Sequence, residues 1–117
     1  MKFNVLYIDP RLGYQVYSKK GHWRSAENHY RTMQIEDIYA LDISGIAARD
    51  CALFLWVTFP CLEQGLETIR RWGFHYKTVG FCWVKRCRKQ QNKWYCGLGF
   101  WTRANPELCL IATKGRP

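Results

Sequence analysis

The chain has 117 residues, of which 48% are apolar and 16% aromatic, so it is long and apolar enough for one folded domain and is not a disordered tail. Eighteen lysines and arginines against nine aspartates and glutamates give a formal charge of +9. Such an excess favours a polyanionic partner, nucleic acid first, because each neutralised phosphate releases counterions; an evenly spread solubilising charge is the alternative.

The first predicted element is a short buried strand, Val5 to Ile8, which ends at Asp9 and Pro10. Proline removes a backbone donor and keeps the preceding residue extended, so the Asp9 carboxylate is predicted to stay at the carboxyl end of the strand. Ligands bind at this edge in open α/β sheets. The alternative is that Asp9 only starts a turn, as Asp-Pro pairs often do.

A polar loop over residues 13–29 follows, with Tyr14, Tyr17 and Trp23 among lysines, arginines and histidines. Loops this long in small domains are usually functional or mobile, and rings beside cations suit base stacking and phosphate contact. Tyr14 is therefore a candidate nucleic-acid contact. The alternative is that these aromatic side chains fold back onto the core.

Helices and strands then alternate along the rest of the chain. The apolar run 51–58 predicts a strand buried on both faces. Before and after it in the sequence, apolar residues recur at the spacing of a helix. Predicted helices start at Thr32, Ile43 and Pro60, the last of them ends at Gly73, and two further strands cover 74–85 and 107–113. This order indicates a single α/β domain over residues 1–117 with a mostly parallel sheet.

The segment 85–93 carries five cations and no carboxylate, and aromatic residues follow it at once. A basic segment beside aromatic rings predicts a nucleic-acid surface, whereas a solvated loop is the alternative. The candidate nucleic-acid contacts are Tyr14, Lys85, Arg86, Arg88, Lys89, Lys93, Trp94, Trp101 and Arg103.

Neither a metal site nor a membrane segment is predicted. The six cysteines include no Cys-x-x-Cys pair and have no histidine at ligand spacing, so they are interpreted as reduced structural thiols. No apolar run approaches the roughly 18 residues of a membrane span, and no signal-peptide pattern opens the chain. The sequence therefore predicts a soluble intracellular protein.

Seven short motifs occur in a fixed order, and together they resemble the adenine-specific N6 methyltransferases of the mRNA-writer (MT-A) type. The motifs are Y-I-D-P at 7–10, H-Y-x-T-M at 29–33, L-F-L-W-V-T at 53–58, R-W-G-F at 71–74, F-C-W-V-K at 81–85, G-L-G-F-W-T-R-A-N-P-E-L at 97–108 and A-T-K-G-R-P at 112–117. The resemblance covers nearly the whole chain and extends to phage and bacterial DNA enzymes as well as eukaryotic RNA enzymes.

The resemblance implies a permuted, Rossmann-like class I methyltransferase fold with S-adenosylmethionine as cofactor. In the family the first strand ends in D-P-P-W, whose aspartate and proline carbonyl orient the exocyclic amine of adenine for methyl transfer. By this resemblance Asp9 and Pro10 are catalytic, Tyr30 lines the active site, and Asp9 and Lys114 bind the cofactor. The implied partner is nucleic acid, DNA ahead of RNA, in the cytoplasm of a bacterial or phage-infected cell.

The sequence departs from the family pattern at two places. Arg11 and Leu12 stand where the second proline and the tryptophan belong, and leucine cannot stack on a base as an aromatic ring does. A family segment that builds much of the cofactor pocket is absent after Pro117, so we expect a carboxyl-terminally incomplete fold, with the cofactor half largely missing and an open sheet edge beside the first strand. The chain is therefore expected either to be an incomplete fragment or to complete its sheet through that edge by homo- or hetero-oligomerisation.

Three functions remain open at this point. The first is adenine-N6 methyl transfer. The second is a catalytically inactive family member that serves as a nucleic-acid-binding or partner subunit. The third is a basic RNA- or DNA-binding domain without any relation to methyl transfer, which fits the charge but leaves the ordered motifs unexplained.

Overall fold

The structure is a computed structural model that describes residues 1–10, 12, 33–90, 92–95, 97 and 101–117. The predictions for Arg11, Tyr14 and Tyr30, and for the loop over 13–29, lie outside the described residues. Across the described part of the chain, no helix has the length and apolar character needed to cross a bilayer.

The described residues form four strands and four short helical segments in alternation, as an α/β chain does. The strands are β1 (Phe3–Ile8), β2 (Ala47–Thr58), β3 (His75–Trp83) and β4 (Glu107–Lys114). The helices are α1 (Ile35–Tyr39), α2 (Ile43–Ile46) and α3 (Leu62–Arg71), with a 3₁₀ turn over Phe59–Cys61 before α3.

The four strands form one mixed sheet in the order β1-β2-β4-β3. β1 and β2 are parallel, whereas β4 is antiparallel to both β2 and β3. The α/β class is confirmed. The described strands β1, β2 and β3 point the same way and β4 is reversed between β2 and β3, so the sheet is mixed and not purely parallel. No helix is described between β3 and β4, and without a crossover helix the chain returns antiparallel beside the strand it left.

The hydrophobic core lies on one face of the sheet, beneath the helices. Leu53 and Leu55 of β2 and Leu110 of β4 are buried there against Ile38 of α1 and Ile69 of α3. β2 buries alternate residues, and those between are half-buried, so the expectation of a strand buried on both faces is wrong within the described residues. The side chains on the second face of the sheet lie outside this core.

Local signals at the ends of α3 explain how it joins the two strands around it. Gly73 adopts a φ of 81° just after the helix, the left-handed conformation predicted for it, and the chain then reverses into β3. Trp72 is buried and its indole nitrogen Nε1 donates a hydrogen bond to the Ile38 carbonyl at 3.0 Å. This bond fixes α3 against the end of α1.

β1 lies at one edge of the sheet, where among the described residues it pairs with β2 alone. An open edge beside the first strand stays a prediction for the whole chain. Leu6 of β1 is buried, whereas Val5 and Tyr7 are exposed on the opposite face. The strand thus presents apolar side chains and, as far as the described residues show, a second backbone edge without a paired strand.

An ion-paired glutamate on α3 makes the stability of the fold depend on pH. Glu67 accepts hydrogen bonds from Arg70 and Arg71, and these bonds lower the pKa of its carboxyl to about 2. Because the folded-state pKa is depressed, the stabilisation is complete above the unfolded value near 4.5 and is lost as pH falls toward 2.

Replacing Glu67 with glutamine is therefore expected to lower the free energy of unfolding at pH 7 and to lower it much less at pH 2, where about half of the native carboxyl is already protonated. Urea unfolding of both proteins at the two pH values measures this. Glu36→Gln on α1 is the control for loss of one negative charge. An equal difference between wild type and Glu67→Gln at both pH values would contradict the ion-pair explanation.

Candidate active site

Asp9 lies at the carboxyl end of β1, as the sequence predicts. β1 and β2 are in register up to the pair Ile8 and Leu55, so Asp9 follows at the level of Trp56, which pairs in turn with Cys109 of β4. Burial raises the pKa of the Cys109 thiol, and the nearby Asp9 carboxylate raises it further. The charge of Asp9 therefore acts on a buried thiol of β4, although Asp9 itself is exposed.

Pro10 directs its carbonyl back into the turn after Asp9. The Leu12 backbone nitrogen donates to the Pro10 oxygen at 3.1 Å, a contact between residues two apart. A carbonyl oxygen has two lone pairs, so this bond leaves one acceptor position. Pro10 is therefore placed beside Asp9 as predicted, with half of its carbonyl's capacity already used.

A cleft of about 570 Å³ opens on the sheet face beside Asp9. This volume lies in the range of about 300 to 1,000 Å³ that is usual for small-ligand sites. Its lining is mostly aromatic, with a carboxylate from each of β4 and the end of β1. The lining residues are Tyr7, Asp9, Trp56, Phe81, Cys82, Trp83 and Glu107.

The aromatic residues of the cleft are fixed by contacts with one another and with the sheet. The Trp56 indole nitrogen Nε1 donates to the Tyr7 hydroxyl at 2.6 Å, so the polar groups of these two rings are paired. The rings of Phe54 and Phe81 stack with centroids 6.3 Å apart. The floor of the cleft is consequently an ordered aromatic surface.

Glu107 lines the far side of the cleft and is paired with Lys85. Glu107 stands between Thr58 and Trp83 in the sheet register, and its carboxylate pairs with the Lys85 ammonium at 3.3 Å. The same ammonium lies 4.9 Å from the centre of the Trp83 ring. Both charges are only partly exposed, so the pair is better shielded from solvent than an ordinary surface ion pair.

Asn105 fixes the backbone at Lys85 through two hydrogen bonds. Its Oδ1 accepts from the Lys85 nitrogen at 2.7 Å, and its Nδ2 donates to the Lys85 oxygen at 2.8 Å. The amide side chain thereby takes the place of a neighbouring strand at this residue. It holds the start of the basic segment against the residues that precede β4.

The basic segment folds back on itself as a hairpin. Arg86 and Trp94 form an antiparallel bridge, and the Arg86 guanidinium lies 5.1 Å from the centre of the Trp94 ring. The Cys87 nitrogen donates to the Lys93 oxygen at 2.9 Å across the same pair of chains. The described residues Arg86 to Tyr95 are called the basic hairpin below.

The predicted nucleic-acid contacts fall into two groups. Lys85 is engaged by Glu107 and by aromatic rings, so it is not an uncommitted cation. The other described candidates are exposed on the hairpin or just before β4, and they are Arg86, Arg88, Lys89, Lys93, Trp94, Trp101 and Arg103. The hairpin begins shortly after the cleft residue Trp83, so a short stretch of chain joins it to the cleft.

Lys114 does not lie beside Asp9, so the structure does not bring together these two residues, whose binding of one cofactor stays a prediction. Lys114 pairs with Cys51 near the start of β2, whereas Asp9 lies at the level of Cys109. Five residues of β4 separate the two levels, about 17 Å along the strand. Because β4 runs antiparallel to β1, its carboxyl end lies beside the amino-terminal ends of β1 and β2, away from Asp9.

The K-G-R-P turn around Lys114 is held by Asp50. The Asp50 Oδ1 accepts a hydrogen bond from the Arg116 nitrogen at 2.9 Å, and this bond, with the charge of Arg49, lowers the pKa of the Asp50 carboxyl. Gly115 has a φ of 70°, and a Cβ there would overlap the Asp50 carboxylate. The motif therefore serves the turn at this edge of the sheet.

The cysteine interpretation is correct for the strand centres but not for the edge. Cys51, Cys61 and Cys109 are buried free thiols, whereas Cys82 is exposed because β3 is an edge strand with exposed side chains along its length. The described residues contain no group of three or more His, Cys, Asp or Glu side chains that could share a metal ion.

Two relevant residues were not predicted from the sequence as site residues, namely Glu107 and Trp83. The signal was available in part, since both lie inside the recognised motifs at 81–85 and 97–108. That they line one cleft with Asp9 could not be predicted from these motifs, because it depends on β4 lying between β2 and β3.

Similarity to known proteins shows the family of this chain. The family model described as MT-A70 matches residues 3–117. The chain belongs to the MT-A70 family. Similar proteins include the Type II methyltransferase M.MunI of Mycoplasma sp, 32% identical over 130 residues that cover 98% of this chain and 52% of that protein. The human N(6)-adenosine-methyltransferase catalytic subunit METTL3 is 32% identical over 116 residues, covering 99% of this chain and 18% of METTL3.

The MT-A70 chain thus spans about half the length of M.MunI and less than a fifth of human METTL3. Membership implies an S-adenosylmethionine cofactor, and the described residues fit it incompletely. A carboxylate is present at the strand end in Asp9, but Lys114, the predicted partner for the methionine carboxylate, lies at the other edge. Within the described part of this MT-A70 domain, Asp9 is the predicted cofactor residue that reaches the cleft.

Proposed function

We propose that this MT-A70 domain transfers a methyl group from S-adenosylmethionine to the exocyclic amine of adenine in nucleic acid, DNA ahead of RNA. The observation that carries the proposal is the position of Asp9, at the carboxyl edge of the parallel strand pair and on an aromatic cleft. N(6)-adenosine methyl transfer is the activity named for METTL3. DNA is placed ahead of RNA because this chain covers 52% of the Type II methyltransferase M.MunI and only 18% of METTL3.

Asp9 and Pro10 supply the polar groups that this chemistry needs. The cofactor contributes an activated methyl group on a positively charged sulfur. The Asp9 carboxylate accepts a hydrogen bond from the exocyclic amine, and the remaining lone pair of the Pro10 carbonyl accepts from the second amine hydrogen. Fixing both hydrogens sets the direction of the nitrogen electrons, so most of the catalysis is positional and electrostatic.

The cleft takes a base that has left its stack. A base inside a duplex cannot reach Asp9, so it is flipped out or comes from a single strand, at a cost of a few kcal/mol that pocket contacts offset. The basic hairpin is the candidate surface for the phosphates on either side, because its exposed cations follow directly after the cleft residue Trp83.

A second function, that of a catalytically inactive nucleic-acid-binding subunit, is favoured by the turn after Asp9. Leu12 stands where the family has an aromatic residue, and the Leu12 nitrogen already occupies one acceptor position of Pro10. Both features reduce the base contacts that the motif provides. A protein built this way retains the cleft and the hairpin and binds nucleic acid without methylating it.

Incubating the protein with methyl-labelled S-adenosylmethionine and matched oligonucleotides tests the proposal. We expect label in single-stranded DNA that contains adenine and none in the same strand made with N6-methyladenine. RNA of the same sequence is expected to be labelled more slowly. Binding of the DNA without any label would favour the inactive subunit, and absence of both binding and label would exclude nucleic acid as the partner.

A further inference from the structure

The residue at position 12 does not face the cleft. Leu12 is half-buried and packs against the hydrophobic core beneath the sheet, and it is not among the residues that line the cleft. The missing aromatic ring of the D-P-P-W pattern is therefore a difference in direction as well as in residue type. A base held at Asp9 has to find its stacking partner elsewhere.

Trp83 is exposed in the cleft, and its ring is in contact with the Lys85 ammonium. It lies on the edge strand β3 with 54% of its surface exposed, in the same row as Glu107 and Thr58. The Lys85 ammonium lies over its ring and is itself fixed by Glu107. An exposed indole that is already ordered loses little conformational entropy when it stacks on a base.

We propose that Trp83 is the base-stacking residue of this site and takes over the role of the aromatic residue absent at position 12. This inference rests on the proposed function, since it concerns a base whose amine is held at Asp9. Asp9 and Trp83 line the same cleft from opposite sides, with β2 and β4 between their strands. A base that enters the cleft between them has its amine at the Asp9 side and reaches the exposed Trp83 ring at the other side.

Tyr7 and Phe81 are the other exposed rings of the cleft, and their positions suit this role less well. Tyr7 precedes Asp9 by two residues on the same strand face, so it lies before the carboxylate and away from the carboxyl ends of the parallel strands. Its hydroxyl is bound by Trp56 at 2.6 Å, which holds the ring against the sheet. Trp83 lies closer to the carboxyl edge than the register pair of Phe81 and Cys109.

The test measures how much a single adenine contributes to binding. The probe is a short oligothymidine with one central adenine, compared with the same strand carrying an abasic site at that position. Fluorescence anisotropy gives both affinities for the wild type, Trp83→Ala, Trp83→Phe and Trp94→Ala. Trp94 is the matched control, because it is also an exposed indole beneath a cation but lies on the hairpin outside the cleft.

We expect the wild type to prefer the adenine strand and Trp83→Ala to lose about 10- to 100-fold of affinity for that strand alone, the range for one stacked base. Trp83→Phe retains most of the preference, which separates stacking from misfolding. Trp94→Ala weakens both strands equally. A preserved preference in Trp83→Ala would overturn this inference and leave the proposed function standing, whereas a wild type that shows no preference for adenine would overturn both.

Discussion

Asp9→Asn is expected to lower the rate of methyl transfer by about 10² to 10³, with little change in the affinity for nucleic acid. The substitution keeps the shape of the side chain and one acceptor oxygen but removes the negative charge at the end of β1. That charge acts where positive charge develops on the amine nitrogen during the reaction. The base keeps its stacking contacts and the strand keeps its phosphate contacts. The substitution is therefore expected to lower kcat and to leave KM unchanged.

Steady-state measurement of kcat and KM on adenine-containing single-stranded DNA checks this expectation. Asp37→Asn is the matched control, since Asp37 is an exposed carboxylate in the first turn of α1, away from the cleft. A rise in KM with unchanged kcat would mean that Asp9 binds the base without orienting it. Equal rates for the wild type and Asp9→Asn would remove Asp9 from the chemistry.

The position of Asp9 could be predicted because all of its causes are local. A β-branched apolar run makes the strand, and the proline after Asp9 keeps the carboxylate at the strand end. Gly73 was equally predictable, because a residue with a φ of 81° at a helix end favours glycine. Short-range steric rules fix both positions without knowledge of the neighbouring strands.

Lys114 was misplaced because its position depends on the direction of a strand and not on its own motif. The sequence shows that 107–113 is apolar and of strand length, which holds for either direction in the sheet. Because β4 runs antiparallel between β2 and β3, the strand begins at the site with Glu107 and ends away from it with Lys114. The reversal that removes Lys114 from the site brings Glu107 into it.

Arg11 and Leu12 illustrate a different limit. Reverting both to proline and tryptophan looks sufficient from the sequence to restore the family motif. Leu12 however packs on the core, so a tryptophan there meets buried side chains unless the turn rearranges. The site has instead gathered aromatic residues from three strands, and only the tertiary arrangement shows which of them are available to a base.

Neutralising the basic hairpin is expected to weaken nucleic-acid binding more than neutralising any other surface. Replacing Arg88, Lys89 and Lys93 with glutamine removes three exposed cations near the cleft and should weaken binding of single-stranded DNA about 10- to 100-fold at low salt. The slope of log K against log salt should become shallower by about 0.7 for each phosphate that the variant no longer neutralises. Filter binding over a series of salt concentrations measures both quantities.

The control removes the same number of charges from the opposite edge of the sheet, through Lys2→Gln, Arg49→Gln and Arg116→Gln. If the net charge of the protein alone drives binding, both triple variants lose the same affinity, because long-range attraction depends on total charge. If the phosphates lie along the hairpin, only the first variant changes the salt slope. Equal slopes for the two variants would contradict a defined path for the strand, because a base entering the Asp9 cleft carries its neighbouring phosphates toward one edge of the sheet and not toward both.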